Sequence, residues 1–405
     1  MMKKIIFILY CSTLVLFTAN AEDIKNKFNP IQTAVNSQNI AADAKAGGMG
    51  DMGAATEPDA NSQAWNAAKY PFCISKAGVV LNYTPWLRQI VNDIDLAYLA
   101  GYYRIGDYQA VSASLRYFSL GEVSYGSGTT SDMGANMTIK PYEFAIDAAY
   151  SRMLSENFSA AVTFRYLYSD LTGNYDDGST PGSAFAVDLA TYYNKYVNMG
   201  PRECMFSLGF GLYNVGSKIN FGDDYSFFIP TTMRLGVNYM IPLNEYNRIS
   251  FAAEASKLLV PTYPTDAQCA KALGYSTDDG EDHTAEYQEY REEHYYNISP
   301  IKGIFKSFGD APNGFKEEME EVNWSIGAEY TYNDKFMLRA GYHHESENKG
   351  NRKYFTVGAG FRMNVFTLDA GYVISTAASN PLDQTLRVSL GFDLDGIKDL
   401  FHRGR

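Results

Sequence analysis

From residue 77 to residue 394 the chain is a series of short runs in which apolar and polar residues alternate. Each run is bounded by Gly, Asn, Asp or Pro, and period-two alternation between such boundaries marks a strand with two unlike faces. The pattern predicts fourteen strands, over 77–87, 94–105, 108–123, 141–154, 158–171, 184–196, 204–216, 231–241, 249–260, 322–332, 336–346, 354–362, 365–374 and 382–394. In the fourth, Tyr142, Phe144, Ile146 and Tyr150 share one face, and Glu143, Ala145, Asp147 and Ser151 the other. In the eleventh, Phe336, Leu338, Ala340 and Tyr342 oppose Arg339, Gly341, His343 and Glu345. In the last, Leu386, Val388, Leu390 and Phe392 oppose Thr385, Arg387, Ser389 and Asp393. Such strands are long enough to cross an outer membrane on a tilt, which takes ~9–11 residues. Strands of soluble domains average about 5–6.

Alternation alone fits both a soluble sandwich and a membrane barrel, because the two differ only in which face meets water. The connections separate them. After odd strands they run 6, 17, 12, 14, 61, 7 and 7 residues; after even strands, 2, 3, 7, 7, 3 and 2. Long outer loops alternating with short inner turns are the habit of outer-membrane barrels. An even strand count behind a secretory signal places both termini on the periplasmic side.

The ends of the chain add an address. Lys3 and Lys4 precede an apolar run from Ile5 to Phe17, and Ala19-Asn20-Ala21 is a small-x-small cleavage site. This reads as a signal peptide over 1–21, with a mature chain from Glu22. The run is too short to span a bilayer, which takes about 20 residues. Residues 22–76 form an N-terminal periplasmic or plug segment, 77–394 the barrel, and 395–405 a tail.

Composition narrows the class further. The chain carries 32 Tyr and 24 Phe but only 20% charged residues, which excludes a disordered chain. A net charge of −12 excludes non-specific nucleic-acid binding. The charge is concentrated. The segment 261–321 holds 14 acidic and 5 basic residues, and its densest points are Glu281-Asp282 and Glu317-Glu318. A helical patch is expected near Thr284 to Glu293. The segment reads as a solvated loop, a docking surface or a divalent-cation site, although its spacing is not that of an EF-hand.

Several chemical motifs fail their context. Gly48-Met49-Gly50-Asp51-Met52-Gly53 matches G-x-G-x-x-G, but no strand precedes it, so it reads as a close-packing segment rather than a dinucleotide site. G-x-S-x-G and H-E-x-x-H are both absent from the sequence. His343 and His344 are adjacent in a strand and face opposite sides. Three cysteines follow the signal, Cys73, Cys204 and Cys269, with no zinc spacing; topology allows only a Cys73–Cys204 disulfide. The polar strand faces carry Glu143, Asp147, Arg165, Arg234, Glu254, Glu329, Arg339, Arg362, Asp369 and Arg387. Mixed signs point to internal salt bridges filling a lumen, not to a selective pore, which favours one sign. No catalytic residue, cofactor or metal site is predicted.

The run Ala46-Gly47-Gly48-Met49-Gly50-Asp51-Met52-Gly53-Ala54-Ala55, followed by Asp59 and Asn66-Ala67-Ala68, resembles the N-terminal signature of FadL-like outer-membrane barrels. Ala67 and Lys69 stand where that signature has proline and glycine. The resemblance implies a lumen plug that includes Gly47, Gly48, Gly50, Asp51, Gly53 and Asn66. Glu254-Ala255-Ser256-Lys257-Leu258-Leu259-Val260-Pro261 is similar to the PorV family of the type IX secretion system. So are Ser307-Phe308-Gly309-Asp310-Ala311-Pro312-Asn313-Gly314-Phe315, Lys349 to Phe355, Thr385 to Leu390 and Leu115 to Glu122.

These resemblances imply an all-β fold: a 14-stranded antiparallel transmembrane β-barrel with a plug-like N-terminal segment and long outer loops, in a Gram-negative outer membrane. They imply a non-enzymatic shuttle that binds the C-terminal domains of cargo proteins at the translocon barrel. The shuttle delivers them to an attachment complex whose sortase-like peptidase links cargo to lipopolysaccharide. Ser307, Phe308, Asp310, Ala311, Pro312, Gly314 and Phe315 are the expected cargo face. Two other readings stay open: a FadL-type transporter of hydrophobic solutes, and a lipopolysaccharide-deacylating factor.

Overall fold

The computed structural model describes residues 28–88, 91, 93–125, 137–171, 180–222, 224–276, 282–376 and 382–396. The expected signal peptide and most of the expected tail lie outside these residues. Fourteen strands close into one antiparallel barrel: β1 (Ala77–Pro85), β2 (Ile94–Ile105), β3 (Gln109–Leu120), β4 (Tyr142–Ser155), β5 (Phe158–Asp170), β6 (Gly182–Met199), β7 (Arg202–Gly216), β8 (Thr232–Pro242), β9 (Asn247–Leu258), β10 (Val322–Tyr332), β11 (Phe336–His344), β12 (Lys353–Arg362), β13 (Phe366–Ser375) and β14 (Leu386–Asp393). Each pairs with its sequence neighbours, and β14 closes on β1, with Gly78 opposite Asp393 and Tyr83 opposite Val388. Closure leaves no open sheet edge in the hydrocarbon, where an unpaired amide has no water to bond.

The pleat sorts the side chains as the alternation requires. Along β4, Ile146, Ala148 and Tyr150 are exposed while Glu143, Ala145, Asp147 and Ala149 are buried. Leu81, Leu99, Leu115, Phe164, Phe251 and Leu338 likewise point outward. In water such a surface would aggregate; against lipid it is the stabilising one. Among the described residues no helix is long and apolar enough to cross a membrane.

Two local details depart from the sequence expectation. The β6–β7 connection shrinks from seven residues to the pair Gly200-Pro201, because both strands extend toward each other. Gly200 takes φ +62, the left-handed geometry that a two-residue hairpin demands. Two small hairpins, Val123–Tyr125 with Met137–Ile139 and Ile219–Asn220 with Ser226–Phe227, stand in outer loops where no separate strand was expected.

The larger departure concerns the N-terminal end. The first described residues lie at the long-loop end of the barrel, not the short-turn end. The Asn29 amide donates to the Asn348 carbonyl in the β11–β12 loop, and the Ala34 amide to Phe228. From there the chain descends through the lumen and leaves beside the short turns, where Arg104 donates to the Cys73 carbonyl. The other end of the described chain stays with the short turns, where Asp395 accepts the Lys76 amide at 2.5 Å. Residue 28 therefore lies at the long-loop mouth, and the expected mature N-terminus at Glu22 lies outside the described residues. A barrel filled by its own N-terminal segment lets that segment enter from either mouth, and strand parity constrains only where β1 begins.

Candidate functional site: a filled lumen under an acidic outer loop

The descending segment is almost wholly buried from Ala41 to Gly50. It holds a one-turn helix α1 (Ala44–Gly47), whose N-cap Asp43 accepts the Ala46 amide at 2.8 Å and the Trp65 indole at 2.5 Å. The glycine run that follows presses backbone against the barrel wall. A Cβ on Gly48 would sit 2.9 Å from the Gly358 Cα of β12, and one on Gly50 would sit 2.8 Å from the Tyr342 carbonyl. Gly50 also has φ +80, so its place is closed to other residues on two counts. This is the physical role of the G-x-G-x-x-G match: close packing of plug on barrel.

Polar contacts fix the plug's height. The Gly50 amide donates to Thr356 at 2.8 Å, and Glu254 accepts the Gly53 and Ala54 amides at 2.9 and 2.8 Å. Asp51 binds Arg387 of β14 and accepts the Tyr354 hydroxyl at 2.6 Å. Asn66 bridges the Ala54 and Thr191 carbonyls and caps the turn that follows through the Ala68 amide. Lys69 donates to the Gly53 carbonyl at 2.8 Å, and Lys45 pairs with Asp59 at 2.8 Å.

The charged wall residues form two networks that the register makes inevitable. Asp147 stands directly across from Arg165, and their ions meet at 3.0 Å; Asp188, one pleat further on β6, meets the same guanidinium at 2.9 Å. Glu329 stands across from Arg339, and the ions lie 2.6 Å apart. Arg339 also reaches Asp369 at 2.6 Å, two strands away. The intervening β12 presents Gly358 and Gly360 at that level, and any side chain there would block the reach. Glu143 accepts the Ser37 amide at 3.3 Å, and Arg234 stacks on Trp65, 4.7 Å from the ring centre. Arg362 is half-buried at the short-turn end of β12.

Sequence reasoning missed Arg116, Asp188 and the plug ions Asp43, Lys45 and Lys69. The first two share the polar phase of β3 and β6 and were legible by the same alternation. The plug ions have no periodicity to betray them.

The described residues of the outer loop between β9 and β10 form four helices: α2 (Asp266–Leu273), α3 (Thr284–Arg291), α4 (Pro300–Lys306) and α5 (Phe315–Glu320). Thr265 and Gln268 form a capping box on α2. The expected patch near Thr284 is α3, which continues into a π-type turn over Glu292–Tyr296. Beneath the helices Phe228, Val260, Tyr295 and Ile298 make a small core against Ile31 of the descending segment. Buried ions tie the loop to the rim. Lys257 of β9 holds Glu318 at 3.2 Å and also Glu321, while Lys349 holds Glu317 at 2.6 Å and Glu321 at 3.0 Å. Asp310 accepts the Thr262 amide at 3.0 Å, and burial pushes its carboxyl up to about 6.

The segment 307–315 splits into two sets. Ser307 and Ala311 are buried and Asp310 faces inward to Thr262, so these three hold the loop together. Phe308, Pro312, Gly314 and Phe315 face solvent. With Ile301, Phe305 and Met319 they give the loop an apolar surface: Phe305 is 75% exposed and Phe315 80%.

Cys73, Cys204 and Cys269 are free and buried, so the Cys73–Cys204 disulfide is not formed. Cys73 packs in an apolar cluster with Tyr70, Tyr102 and Tyr192 instead. Among the described residues no group of carboxylates, His or Cys is arranged to hold a metal ion. His343 turns inward to Ser325, with Oγ and Nδ1 2.9 Å apart, while His344 stacks outward on Trp324. Asp51 is committed to Arg387 and Tyr354, and among the described residues this Ser–His pair has no hydrogen-bonded carboxylate to orient it.

A closed barrel with an apolar outer band, a filled polar lumen and one large outer loop defines an outer-membrane β-barrel protein. The family model described as type IX secretion system protein PorV matches residues 22–265, and the chain belongs to that family. No curated protein matches the chain. Among solved structures the chain is similar to the Ralstonia pickettii toluene transporter TbuX, at 12% identity and TM-score 0.44, covering 87% of this chain and 98% of that one. It is also similar to a Pseudomonas aeruginosa FadL homologue, at 10% identity and TM-score 0.41, covering 90% and 99%. The Pseudomonas putida toluene transporter TodX stands at 11% and 0.44, covering 86% and 95%. Barrel and family together point to the outer membrane.

Proposed function

We propose that this PorV-family barrel is a non-enzymatic carrier for secreted cargo. In this reading the outer loop binds the C-terminal secretion domain of a cargo protein as it leaves the translocon barrel. The carrier then presents the cargo to the attachment complex and its sortase-like peptidase, beside lipopolysaccharide. The observation that carries the reading is the apolar surface of α4 and α5. Ile301, Phe305, Phe308, Phe315 and Met319 are each more than half exposed on a loop that is otherwise acidic and ion-locked to the rim. Large exposed apolar side chains on a rigidly held loop are what a docking surface needs.

The lumen argues against carriage of a hydrophobic solute. Its wall carries Asp147, Arg165, Glu329, Arg339 and Arg387, all at most 8% exposed, where such a solute needs apolar contact.

A photo-crosslinking residue at Phe308 or Phe315, activated in secreting cells, tests the proposal. The expected product is an adduct with the C-terminal domain of a secreted protein, lost when secretion is blocked. Adducts with lipid alone, together with normal surface display in cells lacking the barrel, would overturn it.

A further inference from the structure

The descending segment leaves part of the outer mouth open. Beside it lies a vestibule of about 400 Å³, bounded by Asn39 of that segment, Trp86 beyond β1, Asn323 of β10 and Arg352 beside β12. Its floor opens into a narrower cavity of about 60 Å³, which the same four residues also line. Sites that enclose a small molecule run about 300–1,000 Å³, so the vestibule has room for one.

The charged side chains of its lining cancel. Glu345 grips Arg352 in a fork, with Oε2 2.8 Å from Nε and Oε1 2.7 Å from Nη2. Glu321 accepts Lys349 at 3.0 Å. Glu317 and Glu318 stand behind this pair, bonded to loop amides at Asn313 and Ala311 and to the rim lysines, and do not line the space. An ionic ligand would find no spare counter-charge in the wall.

What the wall does offer is unused hydrogen-bonding capacity. Among the described residues, the side-chain amides of Asn39 and Asn323 have no protein partner, and neither do the Trp86 indole N–H and Arg352 Nη1. Asn36 only accepts the Thr33 hydroxyl, at 2.7 Å. An amide side chain donates and accepts at once, as a hydroxyl does. Between these groups lie the apolar faces of Ile40, Phe118 and Leu258. Trp86 is held from behind by Tyr354, Val373 and Leu382.

This mixture selects a ligand class. A hydrophobic solute would strip water from these polar groups and leave them unpaired, which is costly. An extended peptide strand would need a free sheet edge, and the closed barrel has none. A sugar ring fits: it is neutral, it carries hydroxyls around its rim, and it presents C–H faces to aromatic and aliphatic side chains. We propose that the outer vestibule binds a neutral saccharide unit, whose ring packs against Trp86 and whose hydroxyls bond Asn39, Asn323 and Arg352.

Saturation-transfer NMR on the full-length mature barrel in detergent tests this. The probes are free galactose, mannose and N-acetylglucosamine, the polysaccharide released from lipopolysaccharide by mild acid, and a neutral Gly-Ser hexapeptide. Saturation is expected to reach the ring protons of at least one saccharide and not the peptide. A response to free sugars would identify a soluble ligand, and a response to the polysaccharide alone would identify lipopolysaccharide as the source. Asn39→Ala with Asn323→Ala removes two sets of hydrogen bonds and should weaken binding roughly tenfold or more. Both positions are only half-buried, and an unchanged shift between folded and unfolded mobility on gels would show that the double variant still folds. Arg352→Lys, which keeps the charge opposite Glu345 but loses the fork, should weaken binding as well. Saccharides that give no signal, a signal from the peptide alone, or saccharide binding equal in parent and double variant would each overturn the proposal.

Discussion

Arg387 of β14 closes on Asp51 of the plug, with Nη2 3.1 Å from Oδ2, and joins positions 336 residues apart in the chain. Arg387 is fully buried, and its neighbour Tyr354 donates to the same carboxylate. Removing one partner of a buried ion pair leaves the other uncompensated, which costs about 3–5 kcal/mol. Arg387→Ala should therefore lower the unfolding temperature sharply, read as the shift from folded to unfolded mobility on gels. The double variant Arg387→Met with Asp51→Asn keeps an acceptor for Tyr354 and removes both charges. It should recover most of the loss. A double variant no better than the single would show that the pair does not hold the plug.

Backbone contact makes a second demand on the wall. A methyl on Gly209 of β7 would overlap the Ala54 carbonyl of the plug, and neither backbone has room to yield. Overpacking of this kind costs about 1–3 kcal/mol. Gly209→Ala should displace the plug locally while the outward face of β7, with Leu208 and Phe210, stays intact. The expected signs are a barrel that still assembles but conducts ions across planar bilayers, and a plug newly open to protease. A silent bilayer would mean that the plug gives way elsewhere.

How far the sequence foretold this arrangement depends on where periodicity operates. All fourteen barrel strands were legible, because a wall with lipid on one side and ions on the other must alternate. The cross-strand ions, such as Glu329 with Arg339, followed from the same phase. Their reach did not, because Arg339 meets Asp369 only through the gap left by Gly358 and Gly360. The plug ions Asp43, Lys45 and Lys69 were opaque. Their burial is set by the surrounding wall, not by neighbours in sequence. The direction of the plug was not legible for the same reason, since strand parity is silent about a segment inside the lumen. Within 307–315 the sequence offered one patch. The fold divides it, because Ser307 closes a helix while Phe308 and Phe315 stand outside it.

The rim ions predict how the outer loop is held. Lys349 sits between Glu317 and Glu321, and it is 7% exposed. Lys349→Met would leave carboxylates facing one another around Lys257 alone. The loop should then lift from the rim, and protease added to intact cells should cut within residues 310–321. Barrel assembly should be unchanged, since no strand pairing depends on this lysine. Cargo display should fall in parallel if the loop must be rigid to dock. Cleavage without loss of display would separate the lock from the function.

Asp310 predicts a pH dependence for the same lock. Burial raises its carboxyl from 3.8 to about 6, against the Thr262 amide, which favours the ion; Glu321 and Glu318 add to the rise and Lys306 opposes it. A carboxyl with a raised value in the docked loop holds a proton there that the undocked loop has released. Docking is therefore favoured on the acid side, weakens as pH climbs from 3.8, and carries its full penalty above about 6. Hydrogen exchange of residues 262–321 should be slower at about pH 4.5 than at about pH 7.5, once corrected for the intrinsic rate. Asp310→Asn keeps an oxygen for the Thr262 amide and has no charge to lose. It should dock at neutral pH as firmly as the parent does in acid, with the slope across that window flattened. An Asn variant that retains the parent's slope would place the titrating group elsewhere in the rim cluster.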